Sequence, residues 1–429
     1  MFDITLILKS YFNNAKYAGL YYVSMNILRQ LLLQKDFEIT LVYGLEYKFS
    51  KKIKIIKKNE FFKYFKYTCL NFTECLYYKA AIKEYFLKLS VLSFIKFFYN
   101  IYRYIFYKIY EFISEVLFNN HRILREDIIY FSPYNAIPGK IYKYKNIKKF
   151  IFLHDVIPLL DTIPNETNKL SKEVFKIIID SINKETYIFC NSQYTMNDFM
   201  NIIKNNVDTK KMNVCFIASS NNFYPDYDKI KLNFILKKYK KEPIDNNYIL
   251  SLCSMCPRKN VPFTVECFLK FISKNNIKDL FFFLAGAPSE MIKDGIRPIL
   301  QNFPEYNNKI VILGYIQDED INIILSNALF FVYLSKYEGF GMPPLEAMQA
   351  GTPVITSNSS SLPEVVGDAG VLVNCEDENT VIKAYGSLYF NEELRNQYRK
   401  KGLEQAKMFS WEKTISIINK VFYDTISQN

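Results

Sequence analysis

Apolar and polar positions fall into two long series along this chain, each reading as strands separated by helices. In the first half, Ile4 to Leu8 is a short apolar run of strand type, followed by a loop and a helical pattern from about Gly19 to Gln34. Phe37 to Tyr43, Asp127 to Phe131, Lys149 to His154, Tyr187 to Cys190 and Met212 to Ile217 are further strand-like runs, several ending in polar residues. A polar, lysine-rich stretch from Asn222 to Asn247 with prolines near its ends reads as a linker. A second series follows: strand Tyr248 to Cys253, helix Pro262 to Lys274, strands Leu280 to Ala285 and Ile310 to Leu313, helix Glu319 to Leu325, then strands Leu329 to Leu334 and Thr352 to Thr356. A last helix runs from Ser410 to Ile426, with Trp411 near its start. The pattern predicts an α/β protein with parallel sheets and helical crossovers. Its expected divisions are a first domain over 1–225, a linker over 226–246, a second domain over 247–409 and a terminal helix over 410–429.

The segment from Phe330 to Asn374 is the richest in chemistry. A strand enters a glycine-containing turn, Glu338-Gly-Phe-Gly-Met342, and then a helix that opens on Pro343 and Pro344. Prolines are tolerated in a first helical turn because those N–H groups have no intrahelical partner. Leu345, Met348 and Gln349 give a short amphipathic face, and Gly351 suits a helix stop. Glu338 lies in the turn and Glu346 about one helical turn in, so both carboxylates can face a ligand at the helix N-terminus. The crevice beyond the carboxyl end of a strand is where α/β sheets bind ligands. Taken singly, Glu346 reads as a first-turn glutamate favoured by the helix dipole and Glu338 as an exposed loop acid.

Length and charge narrow the class. At 429 residues the chain is too long for one ordinary core, which gives two domains. Residues 1–225 hold 32 Lys+Arg against 19 Asp+Glu, whereas 226–429 hold 23 against 24, so the basic excess belongs to the first half alone. That asymmetry suggests an anionic partner for the first domain. From Val91 to Phe118, 11 of 28 residues are Phe or Tyr, interleaved with Lys96, Arg103 and Lys108. The 80–118 region suits helices lying in a membrane interface, and equally a helical pair covering the sheet. The N-terminus lacks a signal-peptide pattern and no apolar run reaches the ~18 residues of a spanning helix. The eight cysteines show neither disulfide-scaffold nor zinc spacing, and Cys253 and Cys256 form a lone C-x-x-C. The expected location is the cytoplasm, with the inner face of the membrane as a peripheral site.

Four more segments sit at predicted strand ends. Pro257-Arg-Lys-Asn260 pairs a bidentate guanidinium with a point charge, suited to a diphosphate; two solvated loop cations are the commoner fate of such a pair. His154-Asp-Val-Ile-Pro158 holds one of only two histidines, a residue more often structural than catalytic. Asn191-Ser-Gln-Tyr-Thr195 opens a helix, and Gly314-Tyr-Ile-Gln-Asp318 follows a strand of the second half and adds Tyr315 to the donor-binding candidates.

In this order the motifs resemble the retaining, nucleotide-sugar-dependent glycosyltransferases of family 4, in the mannosyltransferase-like branch of bacterial surface-polysaccharide enzymes. The resemblance runs from Asp127 through Phe409-Ser-Trp411 and is weaker at the N-terminus. It implies the GT-B fold, two Rossmann-like domains facing across a cleft, with the terminal helix crossing back to the first domain. It also implies roles. Glu346 would bind the nucleotide ribose, and Glu338 would lie beside the transferred sugar. Gly339, Phe340, Gly341 and Met342 would offer backbone N–H groups, Arg258 and Lys259 would hold the diphosphate, and His154 would face the reacting oxygen from the acceptor domain. Gly19 would lie near the phosphates, although here the family's usual glycine-rich string has become Ala-Gly-Leu-Tyr-Tyr. No metal or other cofactor is implied, since two cations take a metal's place. The implied donor is a nucleotide-diphosphate hexose, GDP-mannose first, and the acceptor a glycan of O-antigen, lipopolysaccharide or capsule type, lipid-linked. The alternatives are a catalytically silent GT-B partner, whose expected loss of a glutamate or of Arg-Lys is absent, and a basic nucleic-acid-binding protein, for which no recognised motif is present. A phosphorylase or epimerase of the same fold is disfavoured by the 330–374 segment.

Overall fold

The β-rich runs of the sequence assemble into two separate, wholly parallel sheets in the computed structural model. It describes residues 2–3, 19–34, 40–43, 66–69, 128–160, 169–203, 206–239, 241, 247–286 and 289–427. The expected strand Ile4 to Leu8 and the aromatic segment 80–118 lie outside the described residues. The first sheet contains β1 (Phe2–Asp3), β2 (Thr40–Tyr43), β3 (Lys66–Cys69), β4 (Ile128–Ser132), β5 (Ile147–Leu153), β6 (Thr186–Cys190) and β7 (Met212–Val214), in the order β3-β2-β1-β4-β5-β6-β7. The second contains β8 (Asn247–Cys253), β9 (Leu280–Gly286), β10 (Ile310–Gly314), β11 (Phe331–Tyr333), β12 (Val354–Ser357) and β13 (Val371–Val373), in the order β10-β9-β8-β11-β12-β13. Each order steps outward from its first strand, reverses, and continues on the other side. The reversal lies between β1 and β4 in one sheet and between β8 and β11 in the other. In doubly wound sheets a ligand crevice opens at that reversal, beyond the carboxyl ends of the strands.

The central strands are apolar on both faces because helices cover both. Phe282, Phe283 and Leu284 of β9 are fully buried, as are Phe331 and Val332 of β11. The terminal helix Trp411–Ser427 returns to the first sheet. The Phe422 ring lies 4.6 Å from that of Phe150 and 6.0 Å from that of Phe131, and Trp411 lies edge-on to Tyr22 of helix Gly19–Gln34 at 5.9 Å. Thr414 Oγ1 donates to the carbonyl of Phe216 at 2.7 Å. This helix ties the two halves together.

The stretch expected as a linker holds a helix, Lys229–Lys238. Asp228 caps it, accepting from the N–H groups of Ile230 and Lys231, and Leu232, Ile235 and Leu236 form its buried face. Their helical spacing is present in the sequence but dilute among lysines. Strand β3, β13 and the helices Ser289–Gln301, Glu378–Phe390 and Glu392–Ala406 also go beyond the sequence expectations. Among the described residues no helix is long and apolar enough to cross a membrane.

Candidate active site

The loops that follow β8 and β11 leave the second sheet on either side of its reversal point, and they meet. After β8 the chain makes a short 3-10 turn, Pro257–Lys259, and stops it at Asn260 in the left-handed region with φ 55°. Asparagine tolerates that conformation, and its side-chain amide donates to the carbonyl of Cys375 at 2.8 Å. The Lys336 N–H donates to the Arg258 carbonyl at 2.8 Å, stitching the two loops together.

Glu338 is where they converge. Its Oε1 receives Lys259 Nζ at 2.6 Å, Arg258 Nη1 at 2.8 Å and the Tyr333 hydroxyl at 2.9 Å. Lys259 Nζ also meets the Tyr333 hydroxyl and lies over the Tyr333 ring, 4.9 Å from its centroid. Arg258 Nη1 donates to the Tyr337 carbonyl at 2.7 Å. The three charged side chains are only 12–14% exposed. Burial by itself would raise the Glu338 pKa, but Lys259 and Arg258 outweigh it and hold the carboxyl below its ordinary value. Two cations therefore meet the Glu338 carboxylate in a sheltered crevice.

Gly339 is where the two halves touch. A Cβ built on it would lie 2.1 Å from the His154 carbonyl oxygen and 2.8 Å from Asp155 Cβ, so only glycine permits this approach. Its carbonyl accepts from Ser192 Oγ at 2.8 Å and Thr195 Oγ1 at 3.1 Å. The Tyr337 hydroxyl donates to Asp198 at 2.6 Å. The Glu364 carboxylate accepts from the N–H groups of Gln193 and Tyr194, both at 2.7 Å, at the start of helix Gln193–Ile203.

His154 is buried, and its Nε2 hydrogen-bonds the Pro133 carbonyl at 2.9 Å between the rings of Phe152 and Tyr134. Burial lowers its pKa to about 4, against a weaker upward pull from that hydrogen bond, so the ring is neutral and Nε2 carries the proton. What reaches the Glu338 loop is its backbone carbonyl. Asp155 lies in the same crevice. Burial raises it to about 6, while the Ile157 N–H, Arg258 and Lys259 lower it and Glu338 raises it.

Glu346 occupies different surroundings on helix Met342–Gln349, which starts after Gly341 at φ 132°. Burial and the nearby Asp318 raise it to about 8, with the Ser219 hydroxyl pulling it down. Its charge also bears on Tyr22, which burial chiefly pushes up. The two glutamates thus differ: Glu338 is ionised among cations, and Glu346 tends to keep its proton beside another acid.

Comparison with known proteins accounts for the motifs. Residues 234–405 match the model for glycosyl transferases group 1. The chain carries a group 1 glycosyltransferase domain. O-antigen chain mannosyltransferase B of Escherichia coli is 47% identical over 100 residues, covering 23% of this chain and 26% of that protein. O-antigen chain mannosyltransferase RfbU of Salmonella typhimurium is 28% identical over 251 residues, covering 56% and 64%. The matches span about a quarter to a third of the first curated relatives, 26% to 33% of their length. Among solved structures, a glycosyltransferase from Rickettsia africae matches with a TM-score of 0.63 at 16% identity, over 96% of both chains. WaaG, a glycosyltransferase involved in lipopolysaccharide biosynthesis, matches at 0.59 and 14% identity, over 93% of this chain and 96% of that one. These neighbours have the GT-B fold, and it is the fold of this chain.

The group 1 domain supplies Arg258, Lys259, Glu338 and Gly339 as one cluster and Glu346 as a second. Met342 is half-buried at the helix start. Phe340 packs its ring against Phe216 and Phe409, which leaves its backbone in the turn. Tyr315 is half-exposed just beyond β10. Gly19 opens helix Gly19–Gln34; its own surroundings lie outside the described residues. Tyr333, Asp155, Ser192 and Thr195 were missed as individual residues, although each stands inside or beside a quoted motif. Two D-x-D strings do occur: Asp226 pairs with Lys231 at 2.6 Å and Asp228 caps its helix, while Asp320 takes Lys238 at 2.6 Å and the Tyr239 hydroxyl at 2.7 Å and Asp318 lies near Glu346. Among the described residues no group of three or more His, Cys, Asp or Glu is arranged to hold a metal.

Proposed function

We propose that this protein is a retaining hexosyltransferase that moves a sugar, mannose in the first instance, from a nucleotide diphosphate to a glycan acceptor in bacterial surface-polysaccharide synthesis. The observation that carries it is the convergence of Arg258 and Lys259 on Glu338 at the reversal point of the second sheet. A diphosphate entering there would be held by the same two cations, in competition with Glu338 and the nearby Asp155. As the sugar C1–oxygen bond breaks, charge develops on the leaving diphosphate, and the two cations stabilise it. The acceptor hydroxyl forms the new bond to C1 on the same face, and its proton passes to the departing phosphate oxygen. Glu338 sits beside the transferred sugar, the N–H groups of 340–342 meet its hydroxyls, and Glu346 receives the ribose. The mannosyltransferase relatives support mannose, hence GDP-mannose; the solved Anabaena HepE, in complex with UDP and glucose, keeps UDP-glucose as the second donor to test. With two cations at the diphosphate, the reaction needs no metal, and chelator should leave turnover unchanged.

The acceptor is a lipid-linked glycan reached at the inner face of the cytoplasmic membrane. The basic first half supports contact with anionic headgroups. Charge reversal within 80–118 should then weaken binding to anionic vesicles. Thermal unfolding with a panel of nucleotide sugars tests the donor reading. A true donor at a hundred times its Kd adds ~2.7 kcal/mol of stability, and a panel without any shift would overturn the proposal.

A further inference from the structure

The reaction as proposed uses the second domain to hold the donor, yet the loop that carries Glu338 is gripped from both domains: Ser360 and Ser361 of the second take the Glu338 N–H and the Glu338 and Phe340 carbonyls, while the Gly339 carbonyl between them is held from the first. Gly339 offers its carbonyl to the hydroxyls of Ser192 and Thr195, Tyr337 reaches Asp198, and Glu364 spans the N–H groups of Gln193 and Tyr194. All the first-domain partners stand on one element, helix Gln193–Ile203 and the serine that precedes it. That helix follows β6, the neighbour of β5, whose end carries His154 and Asp155. The Glu364 carboxylate meets the free N–H groups of a helix start, where the dipole favours negative charge. Thr195 is fully buried, and its hydroxyl donates to a carbonyl of the opposite domain.

Resting on the function proposed above, we infer that Thr195, Ser192 and Glu364 are positioning residues for the transfer step: Thr195 and Ser192 fix the Gly339 carbonyl of the 337–339 loop, and Glu364 docks the helix that carries Thr195, only while the two domains are closed. The Gly339 carbonyl is fixed from the first domain, so its own peptide plane, with the Phe340 N–H, is oriented before the sugar arrives; the next plane, with the Gly341 N–H, is held by Ser361 through the Phe340 carbonyl. Arg258, Lys259 and Glu346 stand on second-domain elements, and although Glu346 also meets the Ser219 hydroxyl of the first domain, none of the clasp's hydrogen bonds reaches these three residues, so they keep their hold on the nucleotide when the clasp alone is broken. The clasp therefore acts on the sugar and on turnover, and leaves affinity for the bare nucleotide alone.

The test separates those two quantities. Thr195→Val keeps the shape and removes the hydroxyl; Thr195→Ser keeps the hydroxyl; Glu364→Gln removes the charge at the helix start. Ser192→Ala is the poorer probe, because Ser192 Oγ also accepts from the Thr195 N–H and caps the helix. GDP affinity is measured by calorimetry, and release of GDP from GDP-mannose by a coupled assay, for the full chain and each variant. Thr195→Val and Glu364→Gln should each lower turnover by about tenfold or more with GDP affinity within about twofold, and Thr195→Ser should restore it. Unchanged turnover in folded Thr195→Val and Glu364→Gln would overturn the inference. So would a parallel loss of GDP affinity, or a Thr195→Ser variant as poor as Thr195→Val, since either marks general structural damage. A wild-type chain that neither binds GDP nor releases it from GDP-mannose rejects the donor reading instead, and the inference with it.

Discussion

Replacing Glu346 with glutamine should stabilise the unliganded protein, and only at high pH. Burial and Asp318 hold the Glu346 carboxyl at about 8, against an ordinary 4.5. A carboxyl raised on folding binds its proton more tightly in the native state. Its contribution to stability is therefore fully present below about pH 4.5 and is lost as pH rises through about 8. At 1.36 kcal/mol per pH unit the whole difference is worth ~5 kcal/mol. Glu346 is half-buried, not sealed, and solvent screening reduces the realised penalty to ~2 kcal/mol. Glutamine keeps the size and mimics the protonated acid, so the penalty vanishes. Melting temperatures of the two proteins should coincide near about pH 5 and separate by about 4–8 °C near pH 8.5, with the variant higher. On the ribose role proposed for Glu346, the same variant should also gain less protection from GDP. A temperature difference that does not change with pH, or a variant less stable at high pH, would refute this account of Glu346.

Other consequences follow from particular contacts. Gly339→Ala places a methyl group 2.1 Å from the His154 carbonyl; the domains must part, and turnover should fall by about tenfold or more while GDP binding in calorimetry stays close to wild type. Phe422→Ala empties the space between Phe131, Phe150 and Phe189 and should cost ~3–5 kcal/mol in urea unfolding; a cost below ~1 kcal/mol would mean the terminal helix is not held by this contact. Excess EDTA should leave the rate of GDP release within about twofold, whereas restoration by added Mg²⁺ or Mn²⁺ after a loss would assign a metal to the reaction.

The parts of this molecule that could be read from sequence are those where local chemistry and tertiary role coincide. Pro343 and Pro344 mark a helix start whatever lies around them, and the apolar runs at 248–253, 280–285 and 310–313 are strands because both faces are covered. The cluster of Arg258, Lys259 and Glu338 was legible because each follows a strand of one sheet on either side of its reversal point. What stayed hidden depends on placement across the cleft. Nothing local to Thr195 or Glu364 reveals that they meet the other domain, and Gly339 looks like any turn glycine until His154 is packed against it. His154 was expected near the sugar and the reacting oxygen; the bond from its Nε2 to the Pro133 carbonyl, a partner 21 residues back, is one that no spacing rule indicates. The helix Lys229–Lys238 was obscured because its three buried residues are outnumbered by lysines and polar neighbours on the exposed face.

The central claim is that Arg258, Lys259 and Glu338 together drive loss of the nucleotide diphosphate from the sugar. Its most direct test is the rate of nucleoside diphosphate release from GDP-mannose by wild type, Lys259→Ala and Glu338→Ala, each shown to be folded by circular dichroism. Wild type should turn over, and both variants should fall by about a hundredfold or more, the usual scale for removing one group that stabilises a leaving charge. Near-wild-type release by both folded variants would contradict the account.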